Sequence, residues 1–592
     1  MMKNVISIDR ISKTYGKGRK KNTVYQDFSL FVPKSSHLIC LTGPDGAGKS
    51  TLLKLLCGIQ KPDCGTIRLG EYEPDNTCYD FTVKVGYMSQ TLGLYEELTV
   101  LDNLKIFSGL KDVLFAEHRE FLFNLLEKAG LSAFKDFKAN SLSGGMKQKL
   151  GLICALSSHP EFLLLDEPTV GVDPVSRGEL WEIIFAYLKE YDATCIFSTA
   201  YLEEATASDL VVLLNCGQIV KMGGNTELCE ALSGRTYSIT AKPEVEFQTL
   251  ARTLMFHTRH HDRQSPILDL RPRLGRIELL AALQTEKEQI LSYLLTFLPL
   301  PWRGALKITE RECSLEDVYI DATFRPANTL PLLNTKGLSR DFKSEPTIID
   351  VRGIQKKFGT FTAVSNSSFT VHRGEIFGLL GPNGAGKTTT FRMMCALLAP
   401  TEGTVLIFNQ NLRQATSDIR ESIGYVSQKF SLYGKLTVLQ NLKYFGQSYA
   451  LHGAALHSHI EELLDEFSLR DYADALSCDL PFGIQRQLSM ACALIHKPKI
   501  LFLDEATSGA DPCARRNFWQ RICALAANGT SVIVTTHFMD EAEYCDRFLI
   551  QDKGRIIALG TPQEICYTQE GRVSVEQAFI RRVRNFRQEY AS

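Results

Sequence analysis

An α/β fold carrying two copies of one domain is predicted, on three observations. Residues 381–389, GPNGAGKTT, follow an apolar run, Ile376 to Leu380, and precede a helix-compatible run, Thr388 to Leu398. That is the strand–turn–helix order in which a glycine-rich turn points its N–H groups at an anion and the helix dipole behind it adds to the attraction. The turn recurs at 43–51 as GPDGAGKST, and Lys387 follows Lys49 by 338 residues. The same interval separates Gln90 from Gln428, Leu142 from Leu480, Asp166 from Asp504 and Asp173 from Asp511. An offset this constant points to duplication rather than two chance turns. Between the copies, the order strand, helix, two strands, helix, strand predicts a small α/β sandwich of ferredoxin-like type.

These signals divide the chain into a first domain at 1–230, the sandwich at 231–325, a polar linker at 326–346, a second domain at 347–565 and a short tail at 566–592. With 592 residues, 44% of them hydrophobic, the chain can fill several ordinary cores. Lysine plus arginine (66) balances aspartate plus glutamate (67), which excludes the global basic field that nucleic-acid binding favours. No apolar stretch reaches the roughly 18 to 20 residues that span a bilayer. The nearest, Ile290 to Trp302, is too short, and the first residues lack the apolar core of a secretion signal, so a cytoplasmic location is expected. The 16 cysteines form no C-x-x-C pair, and several, such as Cys57, Cys154, Cys195 and Cys492, fall in apolar periodic runs; reduced core residues are expected.

Residues 5 to 41 alternate apolar and polar positions, which predicts short antiparallel strands beside the first turn. Tyr15 here, and Phe358 at the corresponding place, are candidates to stack on adenine. Lys17 to Lys21 reads as a solvated hairpin tip. The candidate ATP cradles are Gly43, Pro44, Asp45, Gly46, Ala47, Gly48, Lys49, Ser50 and Thr51, and then Gly381, Pro382, Asn383, Gly384, Ala385, Gly386, Lys387, Thr388 and Thr389. In each, the lysine would reach the β- and γ-phosphates, and Ser50 or Thr388 would hold Mg²⁺.

VGYMSQ and IGYVSQ end at Gln90 and Gln428, glutamines able to coordinate Mg²⁺ or the attacking water and to report nucleotide state to the helices beyond. SLSGGMKQKL puts Ser143, Gly144 and Gly145 in a donor-rich turn at a helix start, suited to cap a γ-phosphate. Asp166 and Asp504 end apolar strands in EFLLLDEPTVGVDP and ILFLDEATSGADP. An aspartate there can hold Mg²⁺, and the following Glu167 or Glu505 can orient or deprotonate water. His257, His260, His261 and Asp262 read as a polar turn rather than a metal site, and Arg581 to Arg587 as a solvated helix face rather than a lipid contact.

In this order, over about four-fifths of the chain, the motifs resemble the nucleotide-binding domain of ABC ATPases. That resemblance implies two P-loop NTPase domains, each with a RecA-like core and β and helical subdomains. LYEELTVLDNL, LYGKLTVLQNL and TTHFMDEAE are similar to the ATP-binding subunits of ABC-2-type exporters. So are SLEDVYI, Ser314 to Ile320, and SVEQAFI, Ser574 to Ile580, which close the sandwich and the second copy. The resemblance implies ATP hydrolysis with Mg²⁺ and two separate transmembrane permease subunits, which unequal halves allow to differ. It also implies a peripheral position on the cytoplasmic face of the membrane and no nucleic-acid partner.

In ABC ATPases two domains pair head to tail, each nucleotide lying between one phosphate loop and the other domain's signature turn, and pairing within this chain is implied. The second signature, aligned by the offset, is Leu480-Pro481-Phe482-Gly483-Ile484. Pro481 brings neither N–H nor hydroxyl, and Phe482 brings bulk where backbone should approach phosphate. TTHFMDEA contains His537, which would hold the γ-phosphate, the water and Glu505 in register; the first copy has Ala200 there. Both losses fall on the site of the first phosphate loop. One competent site is therefore expected, Lys387, Asp504, Glu505 and His537 capped by Ser143 and Gly145, with one degenerate site that keeps Glu167. The leading expectation is the ATP-driven motor of an exporter. The alternative is a soluble tandem ABC ATPase acting on ribosomes or nucleic acid, a class that keeps both signatures and joins its halves by a long charged helix.

Overall fold

The computed structural model describes residues 4–16, 21–242, 247–260, 265–298, 302–323, 345–412, 417–428, 431–568 and 571–591. Nearly all of the expected linker lies outside the described residues, as do Lys17 to Lys20, His261, Asp262 and the side chains of His257 and His260. Contacts group the chain into two compact units. One is Met1–Ser233 with Cys313–Phe324 and Asp511–Cys513; the other is Gly234–Glu312 with Arg325–Ala510 and Ala514–Ser592.

In the first unit the strands Leu38–Thr42, Phe162–Asp166 and Thr194–Ser198 bury every side chain, as strands covered on both faces of a parallel sheet must. The sheet order is Val85–Met88, Phe162–Asp166, Thr194–Ser198, Leu38–Thr42, Leu210–Asn215 and Gln218–Gly223, antiparallel only at the last pair. A separate antiparallel sheet holds Asn22–Pro33, Asn4–Tyr15 and Cys64–Leu69. The antiparallel reading of residues 5 to 41 thus holds only to Pro33. Leu38–Thr42 is central in the parallel sheet, and its unbroken burial is the reason.

The helices Val100–Gly109, Arg119–Lys128 and Gly144–Ala155 share one apolar core. The motif LTVLDNL is explained by Asn103, fully buried. Its Oδ1 accepts from Tyr95 N (2.9 Å), and its Nδ2 donates to the carbonyls of Tyr95 (3.0 Å) and Thr99 (2.9 Å). The motif SLEDVYI is a capped helix. Ser314 N and Oγ both donate to Asp317 Oδ2 at 2.9 Å, and Leu315, Val318, Tyr319 and Ile320 are buried. The helix, Leu315–Thr323, packs on Leu202–Ala205 and Asn225–Glu230.

The second unit repeats the plan. Its six-stranded sheet runs Ile423–Val426, Ile500–Asp504, Ser531–Thr535, Ile376–Leu380, Arg547–Asp552 and Arg555–Gly560, beside an antiparallel sheet built on Thr347–Phe358 and Phe361–His372. Asn441 repeats the role of Asn103, donating to Tyr433 O (3.2 Å), Thr437 O (3.0 Å) and Ser477 Oγ (2.7 Å). This unit also contains the small sandwich, although the sandwich follows the first domain in sequence. Its strands lie in the order Ile267–Arg273, Arg276–Ala281, Thr236–Ala241, Leu306–Glu310, all antiparallel. With the helices Phe247–His260 and Lys287–Thr296 this is the ferredoxin-like arrangement.

Two expectations need correction. The tail is a helix, Val575–Ala591, that docks on Met539–Tyr544 through a buried Val575, Ala578, Phe579 and Val583, while Arg587 pairs with Asp552 at 2.8 Å. Between Arg581 and Arg587, Arg581, Arg584 and Asn585 are exposed and keep the solvated-face reading. All 16 cysteines are free, but Cys64, Cys78, Cys216 and Cys478 are exposed rather than core residues.

Replacing Asn441 by alanine strands several backbone groups, at about 3 kcal/mol. Hydrogen exchange in residues 432–442 should then quicken by about two orders of magnitude; unchanged protection there would contradict the anchoring role.

Candidate functional site

The two phosphate loops join the buried strands Leu38–Thr42 and Ile376–Leu380 to the helices Lys49–Leu56 and Lys387–Met394. Gly48 and Gly386 cap those helices at φ 107° and 97°, a left-handed conformation that glycine adopts without strain. Lys49 Nζ donates to Gly43 O (2.7 Å) and Pro44 O (3.1 Å), and Lys387 Nζ to Gly381 O (2.5 Å) and Pro382 O (3.0 Å). Each ammonium therefore lies folded against its own loop.

The acidic pairs sit at the carboxyl ends of Phe162–Asp166 and Ile500–Asp504. Glu167 and Glu505 both have positive φ, 51° and 45°, a strained backbone for a side-chain-bearing residue and one that concentrates at functional sites. Both are nearly buried, at 8% and 9% exposure. In the first unit Ser50 Oγ donates to Asp166 Oδ1 at 3.0 Å, a pair of hard oxygens whose chemistry suits Mg²⁺. In the second, Asp504 and the exposed Thr388 are the corresponding donors.

Gln90 and Gln428 are drawn to the glutamates rather than the aspartates: Gln90 Nε2 donates to Glu167 Oε2 at 3.0 Å and Gln428 Nε2 to Glu505 Oε2 at 2.5 Å. Each glutamine thereby links a glutamate to the segment leading into the helical subdomain.

The halves diverge around those carboxylates. His537, 1% exposed, holds Nδ1 3.6 Å from Glu505 Oε2 and stacks on Phe538, with ring centroids 4.7 Å apart. Burial pushes the Glu505 carboxyl up, but His537, Lys387 and Gln428 outweigh it and the group lies below its ordinary range. Ala200 offers Glu167 no such partner. Burial, together with Asp166 and Asp45 and against Lys49, pushes Glu167 up to about 7.

Asp45, a member of the first candidate cradle, brings a carboxyl where the second loop has the neutral amide Asn383. Sequence reasoning passed over Ser198 and Thr535. Ser198 Oγ donates to Asp166 Oδ1 (2.7 Å) and accepts from Glu167 N (2.9 Å); Thr535 Oγ1 does the same for Asp504 (2.7 Å) and Glu505 (3.0 Å). Aligning STAY with TTHF would have shown a hydroxyl in both copies.

Other candidates stand apart from the acidic clusters. Tyr15 OH donates to Gln60 Oε1 and lies 3.5 Å from Thr51 Oγ1, beside the first loop. Phe358 is half exposed with Lys356 Nζ 5.4 Å from its ring centroid. Ser143 caps the helix Gly144–Ala155, accepting from Met146 N at 3.3 Å, and a Cβ on Gly145 would meet Ser176 Cβ at 3.1 Å. Pro481, in the aligned position, caps Phe482–Leu494 with no side-chain hydrogen bond. Among the described residues, no group of three or more His, Cys, Asp or Glu side chains forms a metal cluster.

The family described as ABC transporter matches residues 25–170 and 364–508. The probable multidrug ABC transporter ATP-binding protein YbhF of Escherichia coli K12 is 39% identical over 556 residues, 93% of each chain. The Nod factor export ATP-binding protein I of Burkholderia lata is 41% identical over 224 residues, 38% of this chain and 74% of its own. A solved structure described as the ATP binding subunit of an ABC transporter covers 40% of this chain and all of its own, at 27% identity and a TM-score of 0.38.

Thr535→Val keeps the shape of the side chain and deletes the hydroxyl. Hydrogen bonds to a charged group contribute roughly 1.5–3 kcal/mol, so ATP hydrolysis by the full chain should fall about 10- to 100-fold, with a small drop in melting temperature and the fold retained. Full turnover by folded Thr535→Val protein would refute the tie.

Proposed function

The chain belongs to the ABC transporter family as an ATP-binding, ATP-hydrolysing protein with two such domains, and we propose that it powers an ABC-2-type exporter whose two membrane-spanning permease subunits are separate chains. Among the described residues no helix is long and apolar enough to cross a membrane. The relatives' names, multidrug transport and Nod factor export, support an exported organic solute as cargo. The chain works at the cytoplasmic face, held there by its permeases.

The observation that carries the mechanism is the unequal surroundings of the two glutamates. At the second loop, Lys387 and the loop N–H groups bind the β- and γ-phosphates of ATP. Thr388 and Asp504 would hold Mg²⁺, which would supply charge neutralisation at the phosphate oxygens. Glu505, ionised beside His537, takes the proton of the attacking water, and His537 holds water and γ-phosphate in line. Ser143 and Gly145 complete this site in the head-to-tail pairing of the two domains within one chain. In that pairing the turn that would complete the first loop's site carries Pro481, and the first copy has Ala200 in place of the histidine. Each missing preorganised donor removes about 2.7 to 4 kcal/mol of transition-state stabilisation, which leaves that site slow. Gln90 and Gln428, bonded to Glu167 and Glu505, pass nucleotide state to the helices Val100–Gly109 and Val438–Ser448 and on to the permeases.

Glu505→Gln is expected to lose most ATP hydrolysis and Glu167→Gln far less, measured on partner-bound protein. Equal losses would sink the asymmetry. Glu505→Gln protein, drawn from gently solubilised cells with ATP, should bring polytopic membrane proteins in stoichiometric amount; ribosomes or nucleic-acid factors in their place would overturn the exporter reading.

A further inference from the structure

The sandwich and the second nucleotide-binding domain belong to one unit, and the sandwich grips the turn that follows His537. Gln248 Nε2 donates to the carbonyls of Glu543 (3.1 Å) and Cys545 (3.3 Å). Arg252 donates to Asp546 Oδ2 (3.0 Å) and Tyr544 O (3.4 Å), and Arg273 pairs with Asp540 at 3.1 Å. The Tyr544 ring joins the sandwich's apolar core and stacks on Trp519, centroids 4.9 Å apart. Arg516, on the helix Pro512–Ala527, forms a buried ion pair with Asp269 of the sandwich. Polar contacts at Asp540 and at residues 543–546 thus secure both ends of the short helix Met539–Tyr544.

That helix is tied to His537. Thr536 Oγ1 donates to Glu541 Oε2 (2.5 Å) and accepts from Phe538 N (2.9 Å), so a shift at Asp540 carries residues 536–538 with it. Asp546 also accepts from Ile376 N (2.8 Å), at the start of the strand that ends in the second phosphate loop. In the first unit Asp209 accepts from Leu38 N at the same distance, 2.8 Å. The difference is burial: Asp209 is exposed, whereas Asp546 is buried against Arg252. The His537 to Glu505 separation of 3.6 Å lies just beyond a hydrogen bond, where tenths of an ångström decide whether the contact forms.

We propose that the sandwich is a positioning element for hydrolysis at the second phosphate loop. Through Gln248, Arg252 and Arg273 it fixes the turn that aims His537 at Glu505. The first domain precedes the sandwich in the chain, yet the catalytic benefit goes to the second. Arg273 is the residue to test, because it lies at the rim, 22% exposed, where its removal leaves the apolar contact of Tyr544 in place.

The inference rests on hydrolysis belonging to the second loop, so the full chain carrying Glu167→Gln serves as parent and its turnover reports that loop. In this parent Arg273→Ala should lower kcat about 5- to 20-fold, with the KM for ATP and the melting temperature unchanged. Arg273→Lys, which keeps the charge, should retain more than half of kcat. Full kcat in folded Arg273→Ala protein, a rise in KM at constant kcat, or a lysine variant as impaired as alanine would each overturn the positioning role. A parent that hydrolyses no ATP would instead remove the assignment to the second loop, and the positioning role with it.

Discussion

One hydroxyl at the end of a buried strand organises each strand-terminal acidic pair. Ser198 and Thr535 each bond the aspartate of the neighbouring strand and the backbone of the glutamate after it. The strands pair in parallel at Asp166 with Ser198 and at Asp504 with Thr535, so the register of the sheet sets the spacing of the two carboxylates. Close packing on both buried faces holds that register, since a one-residue slip would set every side chain against neighbours of the wrong shape. The glutamates then leave the sheet in a left-handed turn, a strain that the hydroxyl and the adjoining strand together maintain.

What surrounds that shared frame decides the chemistry. Beside Glu505 lies a histidine; Glu167 has an alanine at the corresponding place and an additional aspartate, Asp45, on the first phosphate loop. The same backbone thus holds one carboxyl below its ordinary range and one well above it. Divergence after duplication worked on side chains and left the strands alone, as expected where packing is close and loops are free to vary.

The second divergence is one of cover. Met539–Tyr544 lies against the closing helix Val575–Ala591 and against the sandwich, whereas Leu202–Ala205 packs on its closing helix Leu315–Thr323. In both halves the closing helix begins with a serine-led cap, Ser314 with Asp317 and Ser574 with Gln577. The motif is therefore a helix start placed to pack on the short helix Leu202–Ala205 or Met539–Tyr544.

Sequence by itself determined the duplication, the phosphate loops, the strand-terminal acids and the ferredoxin-like order, because each is written in local periodicity and in fixed spacings along the chain. It also located the contrast of His537 with Ala200, since a constant offset aligns the copies. Ser198 and Thr535 were not singled out, because an isolated hydroxyl has no pattern until two strands are set side by side. The docking of the tail helix, and of the sandwich on the second domain, was settled only by tertiary structure. Gln248, Arg252 and Arg273 meet partners nearly three hundred residues away, and pairings of that kind depend on complementary surfaces, which leave no periodic trace in a single chain.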